Sequence, residues 1–436
     1  MNKSNHKKSF LTSKGMSSFY SSIISILIGF AIGILIMFII SFVVDDINFG
    51  KGVLTLLEGP FTALKPIKAF GNMVFYAVPL IFTGLSVGIA YKTGLFNIGA
   101  PGQFLMGTLV SLLIALNIPS NGNKGLAVGI WLFAVVAGML AGVIWGLIPG
   151  MLKALLGINE VIICIMTNWI AANMTTWIFE SMTSLHNVGY GKSGYLITTA
   201  TTGNGTPTLG LDKLTGNSYL DCSIIIAIVI AIFLWVFINK TSTGYSLRAC
   251  GLNKFSAKYA GMHDKLNIIL SMCIAGGLAA LGGCFYYLNP GIEINYQSIY
   301  QSLPSYGFDG IPAALLANCN PIAIIFSSLF MRYISYSGNN LVSYGYNRYI
   351  ADIIIAVIIY LSGFSRFFAE LFGKLGKKKN DNYNNITGGS YDNKDPNGDG
   401  TVAVKDSLAG EKFFKTLTKG LDLRAPSVTG KKKGGK

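Results

Sequence analysis

Charged residues are scarce in this chain. They make up 12% of its 436 residues, while 51% are hydrophobic, whereas charged residues approach about a quarter of an ordinary soluble domain. This imbalance excludes a typical soluble globular protein. Histidine is also rare, with only His6, His186 and His263 in the sequence, so a catalytic site built on histidine is poorly supplied.

The cysteines form no CxxC pair and lie in or near apolar segments. Such spacing supports neither a zinc site nor a disulfide framework. We therefore expect no metal and no cofactor. The six residues are Cys164, Cys222, Cys250, Cys273, Cys284 and Cys319.

Two short patterns resemble ligand sites. Gly191-Lys192-Ser193 resembles the end of a phosphate-binding loop, but the earlier glycine of that motif would fall at His186. Residues 395–406 match a calcium-loop spacing, with Asp406 in place of the usual final glutamate. That match lies in a polar tail without strong flanking helices, so we interpret it as chance.

Long apolar segments occupy most of the chain up to residue 370. A helix needs roughly 20 apolar residues to cross a bilayer, so the pattern predicts an all-α polytopic membrane protein with about ten transmembrane helices. The first segment is too long for a secretory signal and lacks its cleavage pattern. The segment 305–318 follows Pro304 and is short, so it is either a full span or a re-entrant segment. The segments cover residues 18–44, 72–90, 103–116, 125–148, 160–179, 219–239, 265–288, 305–318, 321–337 and 350–370.

The net charge of +15 does not indicate nucleic-acid binding, because the lysines do not follow a folded basic face. They cluster at the N-terminus, in one central loop and in the C-terminal tail. With the N-terminus inside, internal segments carry about 16 lysine and arginine residues and external ones about 7. This bias and an even number of crossings predict that both termini are cytoplasmic.

The sequence then divides into three parts. Residues 1–17 form a basic cytoplasmic tail, residues 18–370 form the transmembrane domain, and residues 371–436 form a largely disordered cytoplasmic tail. Within the transmembrane domain, 180–218 is a long external loop and 240–264 is a basic internal loop.

A polar, glycine-rich break interrupts the apolar pattern at residues 91–103, which read YKTGLFNIGAPGQ. Irregular backbone at membrane depth survives only where protein or an aqueous cavity surrounds it. The break therefore points to a pathway, with Asn97 and Gln103 as its polar side chains.

A polar stripe follows one face of the predicted helix 160–179. Asn168 lies near its middle and Glu160 at its cytoplasmic end. Such a stripe faces the bundle interior, because facing lipid would be costly. It either lines a pathway or makes hydrogen bonds between helices. The members of the stripe are Glu160, Cys164, Thr167, Asn168, Ala171 and Thr175.

Two further features concern the spans. Asp309 lies between Pro304 and Pro312, where an acid is either part of a functional site or a cap on a helix start. Gly138, Gly142, Gly146 and Gly150 recur every four residues, a spacing that lets a neighbouring helix approach closely. We interpret these glycines as packing residues.

The internal loop 240–264 is basic, compact and amphipathic. Leu247, Ala249, Phe255, Tyr259 and Ala260 supply apolar side chains for docking. A loop that only connects spans needs no such pattern, whereas one that lies in a groove of a cytoplasmic partner does.

Five segments together resemble the permease subunits of bacterial ABC importers. The resemblance is greatest to the nucleoside and simple-sugar branch of the branched-chain amino acid and ribose permease superfamily. It covers roughly residues 70–370 and implies a non-catalytic membrane subunit. Its partners would be a cytoplasmic ABC ATPase, a second homologous permease, an extracellular substrate-binding protein (often a lipoprotein) and membrane lipid. The segments are TGLFNIGAPGQ (93–103), NEVIICIMTNWIA (159–171), TGYSLRACGLNKFSAKYAGM (243–262), AGGLAALGG (275–283) and GFDGIPAALLANCNP (307–321).

The resemblance also assigns residues. Polar positions in its motifs fall at Asn97, Gln103, Asn168 and Asp309, which we place in the substrate pathway because of their polarity at membrane depth. This chain departs from the family at Pro101, where an acid is commoner. It also departs at Asn253-Lys254, where Asn-Pro is commoner. The residues that mark the coupling loop to the ATPase are Gly244, Arg248, Gly251, Ala257, Ala260 and Gly261.

Two functions remain open from the sequence. The first is the translocation subunit of an ATP-driven importer for nucleosides or simple sugars, with no ATPase motif of its own. The alternative is an ion-coupled secondary carrier, which predicts ionisable pairs deep in the spans. The spans contain few ionisable residues besides Asp309, Glu160 and Arg332, which counts against this alternative. A membrane-embedded enzyme would need a cluster of His, Asp or Cys, and none is evident in the sequence.

Overall fold

The computed structural model describes residues 14–44, 47–187, 193–347 and 349–363. Within these ranges the chain is helical, and strand pairing is limited to two isolated bridges, His186 with Leu196 and Tyr195 with Asn295. The main helices are α1 (Lys14–Val43), α2 (Phe49–Glu58), α3 (Pro66–Lys92), α4 (Ala100–Asn117), α5 (Lys124–Leu156), α6 (Glu160–Ser181), α7 (Ser223–Lys240), α8 (Ser242–Leu252), α9 (Lys254–Tyr259), α10 (Asp264–Tyr287), α11 (Ser305–Leu316), α12 (Pro321–Leu341) and α13 (Tyr349–Gly363). Single helical turns occur at Gly59–Thr62, Thr183–Leu185, Thr199–Thr202, Leu211–Leu214, Tyr296–Ser298 and Val342–Tyr344.

The predicted all-α polytopic fold is confirmed, but the count of about ten spans is only approximate. Seven of the described helices are long and apolar enough to cross a membrane, or eight if one bent pair counts as a span. That pair, Ser305–Leu316 with Pro321–Tyr344, is bent by 119°. We predicted two crossings from the two halves of this pair. We also predicted one at 350–370, of which the structure describes residues 350–363.

The bend between α11 and α12 has a local cause. Asn318 and Cys319 have φ angles of 50° and 53°, in the left-handed region that cannot continue a right-handed helix. Asn320 then caps α12 by accepting from the Ile322 amide at 3.1 Å, and Pro321 occupies the first helical position. Apolar patterning does not encode this reversal of direction.

Three helices form the centre of the bundle. The most apolar stretch of α3 is 89% buried and those of α4 and α10 are each 78% buried, whereas that of α1 is only 17% buried. The outer helices therefore leave apolar side chains on the surface, as lipid contact requires. Four predicted features lie outside the described residues: residues 1–13 of the N-terminal tail, the C-terminal tail 371–436 with its calcium-loop match, Gly191 and Lys192. Residues 14–17, which we assigned to the N-terminal tail, belong to α1.

The glycine series on α5 packs against α10, which confirms the packing interpretation. A Cβ at Gly142 would lie 2.2 Å from the Ala280 Cβ, and one at Gly146 would lie 2.4 Å from the Met272 carbonyl oxygen. Contacts this short exclude any side chain at these positions.

Two glycines of α11 let this helix pack closely against α3 and α4. A Cβ at Gly307 would lie 2.4 Å from the Pro101 Cα, and one at Gly310 would lie 2.6 Å from the Thr83 backbone carbon. The Thr83 hydroxyl also donates to the Tyr306 carbonyl at 2.9 Å. The start of α11 therefore contacts the start of α4.

Candidate functional site

The polar break at residues 91–103 forms a hinge between α3 and α4. Helix α3 ends at Lys92, Gly94 has a φ of 77°, and α4 begins at Ala100. Only the seven residues 93–99, between the ends of the two helices, are non-helical. We call this segment the hinge.

Asn97 and Gln103 hold the hinge against α3. The Asn97 Nδ2 donates to the Ser86 Oγ at 2.9 Å and to the Gln103 Oε1 at 2.8 Å. Its Oδ1 accepts from the Gly99 amide at 3.1 Å and from the Gln103 Nε2 at 3.2 Å. Both amide side chains are fully buried, so their polar atoms are satisfied inside the protein.

Asn168 joins α6 to the same segment. Its Oδ1 accepts from the Gly102 amide at 2.8 Å, and its Nδ2 donates to the Ile98 carbonyl at 2.9 Å. The first amides of a helix have no partner within the helix, and Asn168 supplies one for α4. Three of the four predicted pathway residues therefore come together as one buried cluster that makes hydrogen bonds between helices.

The fourth predicted pathway residue, Asp309, lies elsewhere. Its Oδ2 accepts from an Arg332 guanidinium nitrogen at 3.2 Å, and the Arg332 Cζ lies 4.6 Å from the centre of the Tyr306 ring. Both side chains line a cavity of about 600 Å³ between α3, α11, α12 and α13, together with Asn339 and Asp352.

That cavity adjoins two others through shared side chains. A cavity of about 230 Å³ is lined by Tyr76, Tyr306 and Tyr336 and shares Arg332 and Asn339 with the first. A third, of about 480 Å³, is lined by residues 62–72 and by α12, and shares Tyr336 with the second. The three cavities therefore lie next to one another along α3 and α12.

Further aromatic rings pack against Tyr306, which lines this space. The Tyr306 and Tyr286 ring centres are 4.6 Å apart, and Tyr286 stacks on Phe75 at 5.9 Å. Sequence reasoning missed Tyr76, Tyr306 and Asn339 as site residues. Arg332 was the available signal, because an arginine within a spanning helix marks a polar interior.

The loop between α7 and α10 folds into α8 and α9. Thr241 caps α8 by accepting from the Gly244 amide at 3.0 Å, and Asn253 caps α9 by accepting from the Ser256 amide at 3.0 Å. Caps of this kind satisfy amides that the helix leaves free. Asn253, which matches the family pattern, therefore has a local structural role, and Lys254, which departs from it, is the first residue of α9.

Two glycines let α8 pack closely against α7 and the hinge. A Cβ at Gly244 would lie 2.1 Å from the Phe237 carbonyl oxygen of α7. A Cβ at Gly251 would lie 2.2 Å from the Lys92 carbonyl oxygen, at the start of the hinge. Of the other residues predicted for coupling, Ala257 is buried, whereas Ala260 and Gly261 are exposed.

Arg248 lines a groove of about 670 Å³ between α8 and the hinge. Its Nε is buried and has no hydrogen-bond partner in the part of the chain that the structure describes. Glu160, at the start of α6, lies in the same groove and pairs with Lys153 at 2.7 Å.

The outer surface of α8 and α9 carries exposed apolar side chains. Leu252 is 89% exposed, Phe255 76% and Tyr259 95%. Leu247, which we expected to be available for docking, is instead buried at 1% exposure, because it lies on the face of α8 that packs into the bundle. This surface is apolar and carries Lys254 and Lys258 at its edges.

Comparison with known families identifies the chain. A model of the family described as branched-chain amino acid transport system, permease component, matches residues 69–363. The chain belongs to this permease family. The match covers the hinge, the α8–α9 loop and the cavity at Asp309 and Arg332 of this permease, and begins after α2.

Curated relatives of the permease are named as ABC transporter subunits. It is 31% identical over 344 residues to the guanosine ABC transporter permease protein NupP of Bacillus subtilis, covering 76% of this chain and 94% of the relative. It is 34% identical over 299 residues to the nucleoside ABC transporter permease protein NupB of Lactococcus lactis, covering 69% and 80%. A glucose ABC transporter permease protein of Haloferax volcanii is 26% identical over 347 residues, covering 73% and 88%. No solved structure matches the chain.

Proposed function

We propose that this permease is the translocation subunit of an ATP-driven importer for nucleosides. It has no catalytic role, and its partners are a cytoplasmic ABC ATPase, a second homologous permease and an extracellular substrate-binding protein. The relatives named for guanosine and nucleosides support this cargo, and the relative named for glucose keeps simple sugars as the second candidate.

The observation that carries the proposal is the chemistry of the cavity around Arg332. Tyr76 and Tyr336 line the cavity with rings on which a base can stack, whereas the Tyr306 ring already carries Arg332. Asp309 and Asn339 offer groups that can hydrogen-bond ribose hydroxyls or base edges. A nucleoside needs both kinds of contact, whereas a hexose makes less use of an aromatic pair.

A chain of close contacts links the α8–α9 loop to this cavity. Gly251 touches Lys92 at the hinge, the hinge leads into α4, and Pro101 of α4 touches Gly307 of α11. Asp309 lies two residues further along α11. Closure of the ATPase would pull on α8 and α9, and these contacts would transmit the movement to α11.

In this mechanism, Asn97, Gln103 and Asn168 brace the pathway. Their buried hydrogen bonds tie the hinge and the start of α4 to α3 and α6. The amides keep α4 in register with its neighbours as the hinge moves. The exposed Leu252, Phe255 and Tyr259 form the surface on which the ATPase docks.

The proposed setting is a bacterial cell membrane with both termini in the cytoplasm. The transmembrane domain spans residues 18–370, between cytoplasmic tails at 1–17 and 371–436. The lysine and arginine bias places the α8–α9 loop on the cytoplasmic side.

An ion-coupled carrier is the competing function, and one observation favours it. Asp309 and Arg332 form an ionisable pair in the cavity, which is the kind of group that such a carrier uses. Family membership favours the ATP-driven importer.

Uptake of radiolabelled guanosine, uridine and ribose by cells that carry the whole system tests the proposed cargo. We expect Tyr76→Leu to lower nucleoside uptake about tenfold, since base stacking contributes about 1–3 kcal/mol. Tyr76→Phe keeps the ring and serves as the matched control. Equal effects of both variants, or uptake of ribose alone, would contradict a nucleoside site here.

A further inference from the structure

The groove between α8 and the hinge has the dimensions and lining of a second ligand site. Its volume of about 670 Å³ falls within the roughly 300–1,000 Å³ typical of small-molecule pockets. It is separate from the cavity at Arg332, which is lined by other helices. It lies at the end of the bundle that carries α8 and α9.

The charge of the groove is positive. Lys92 and Arg248 both line it, and the carboxylate that shares it, Glu160, is already paired with Lys153 at 2.7 Å. The Lys92 Nζ donates to the Asn318 carbonyl at 3.3 Å. The buried Arg248 Nε has no partner among the described residues, and an unpaired buried donor is costly unless a ligand meets it.

Three aromatic side chains also line the groove. Tyr91 and Phe96 line the groove from the α3–hinge side, and Tyr245 lines it from α8. Tyr91 is 51% exposed and Tyr245 58% exposed, so both rings are accessible to a flat ligand. Aromatic faces beside arginine and lysine suit a molecule that combines a base with a phosphate.

We propose that this groove binds a nucleoside monophosphate, with its phosphate on Arg248 and Lys92 and its base against the tyrosines. This inference rests on the proposed function, because phosphorylation of imported nucleosides would supply the ligand inside the cell. A bound nucleotide touches both sides of the contact between Gly251 and Lys92. It therefore holds α8 against the hinge and slows transport when the product accumulates.

Equilibrium binding of radiolabelled GMP to the complete transporter, in nanodiscs of phosphatidylcholine, tests the site. We expect saturable binding that weakens about tenfold or more in Arg248→Gln and in Lys92→Gln, because each removes a charge-assisted hydrogen bond. Lys240→Gln, at the exposed end of α7, is the matched control and should bind GMP as the parent does. Guanosine and inorganic phosphate should each compete much less well than unlabelled GMP.

Four results would overturn the site. They are the absence of saturable GMP binding, full binding in both groove variants, equal competition by inorganic phosphate, and loss of GMP binding in nanodiscs of phosphatidylglycerol. The second would place the nucleotide on the ATPase, and the last would make the groove a lipid-headgroup site. Guanosine uptake by the parent transporter is measured in parallel, so failure of the proposed function is recognised separately.

Uptake into proteoliposomes tests the effect on transport. With the cytoplasmic face of the transporter inside the vesicles, GMP enclosed with ATP should lower the initial rate of guanosine uptake severalfold. Unchanged uptake at a GMP concentration that saturates binding would overturn the proposed hold on α8.

Discussion

Gly251 lies directly against the backbone of Lys92, so that a Cβ on Gly251 would come within 2.2 Å of the Lys92 carbonyl oxygen. The space at the facing residue Gly94 is also limited, since a Cβ there would lie 3.2 Å from the Gly251 Cα. A contact between backbones transmits movement directly from α8 to the hinge, because no flexible side chain separates them.

Gly251→Ala should therefore disconnect α8 from the hinge. The added methyl group has only backbone atoms to displace, so α8 must shift outward. We expect guanosine uptake to fall about tenfold or more, which corresponds to about 1.4 kcal/mol, while the ATPase still co-purifies. Initial uptake rates at equal surface expression measure the effect.

The control for Gly251→Ala is Gly129→Ala on α5, where no atom lies within 4 Å of the added methyl group. That variant should transport like the parent. Normal uptake by Gly251→Ala would show that this contact does not carry the coupling.

Asn168→Ala should destabilise the bundle. It leaves the Gly102 amide and the Ile98 carbonyl without their partner at a buried position. Each unsatisfied buried group costs about 1–3 kcal/mol, so the loss should be about 3 kcal/mol. Thermal unfolding of the purified permease in detergent measures it as a lower midpoint temperature.

Asn173→Ala on the same helix is the matched control. Its side chain is exposed and donates only to the Trp169 carbonyl within α6, so its effect should stay within about 0.5 kcal/mol. Similar stabilities for the two variants would argue against a bracing role for Asn168.

The Asp309–Arg332 pair should behave as a unit. Arg332→Gln leaves Asp309 without its cation in the cavity, so we expect nucleoside uptake to fall about tenfold, an effect of about 1.4 kcal/mol. The double variant Asp309→Asn, Arg332→Gln removes the unpaired charge and should recover part of that loss. Additive losses would mean that the two side chains act independently.

Stability should depend on pH through Asp221, which lies before α7 and outside the spans. Burial raises the pKa of the Asp221 carboxyl to about 6, even though Ser223 and Asn289 donate to it. Because the folded-state pKa exceeds the unfolded value, the stabilising contribution is complete below about pH 4 and is lost as the pH rises through 6. The loss is about 3 kcal/mol.

Thermal unfolding of the parent and of Asp221→Asn between pH 4 and pH 7 measures this dependence. As the pH rises, the midpoint temperature of the parent should fall relative to that of Asp221→Asn. A constant difference would show that the carboxyl has an ordinary pKa in the fold.

Sequence reasoning predicted the features that depend on local pattern. The helical membrane fold, the glycine packing on α5 and the break before α4 follow from apolar runs, small-residue spacing and polar glycine-rich composition. The amides of Asn97, Gln103 and Asn168 were also found, because polar residues at membrane depth are rare. Whether they line a pathway or join helices depended on partners that are distant in sequence.

The cavity could not be predicted for the same reason. Its lining comes from three different helices, which contribute Tyr76, Tyr306 and Arg332. In the sequence, each tyrosine resembles an aromatic residue at the membrane interface, and the arginine resembles an isolated charge. The bend at Asn318 and Cys319 was missed because positive φ angles at non-glycine residues leave little trace in composition. The burial of Leu247 was also missed. It depends on which side of α8 packs against the bundle, and a short amphipathic pattern does not determine that side.

The most direct test is guanosine uptake into proteoliposomes that hold the permease pair, the ATPase and the binding protein. Initial rates are compared with and without internal ATP, with and without an ionophore, and for Arg248→Glu. We predict uptake that requires ATP, resists the ionophore and is lost in Arg248→Glu together with co-purification of the ATPase. Uptake that continues without ATP but collapses with the ionophore would contradict the importer and favour an ion-driven carrier.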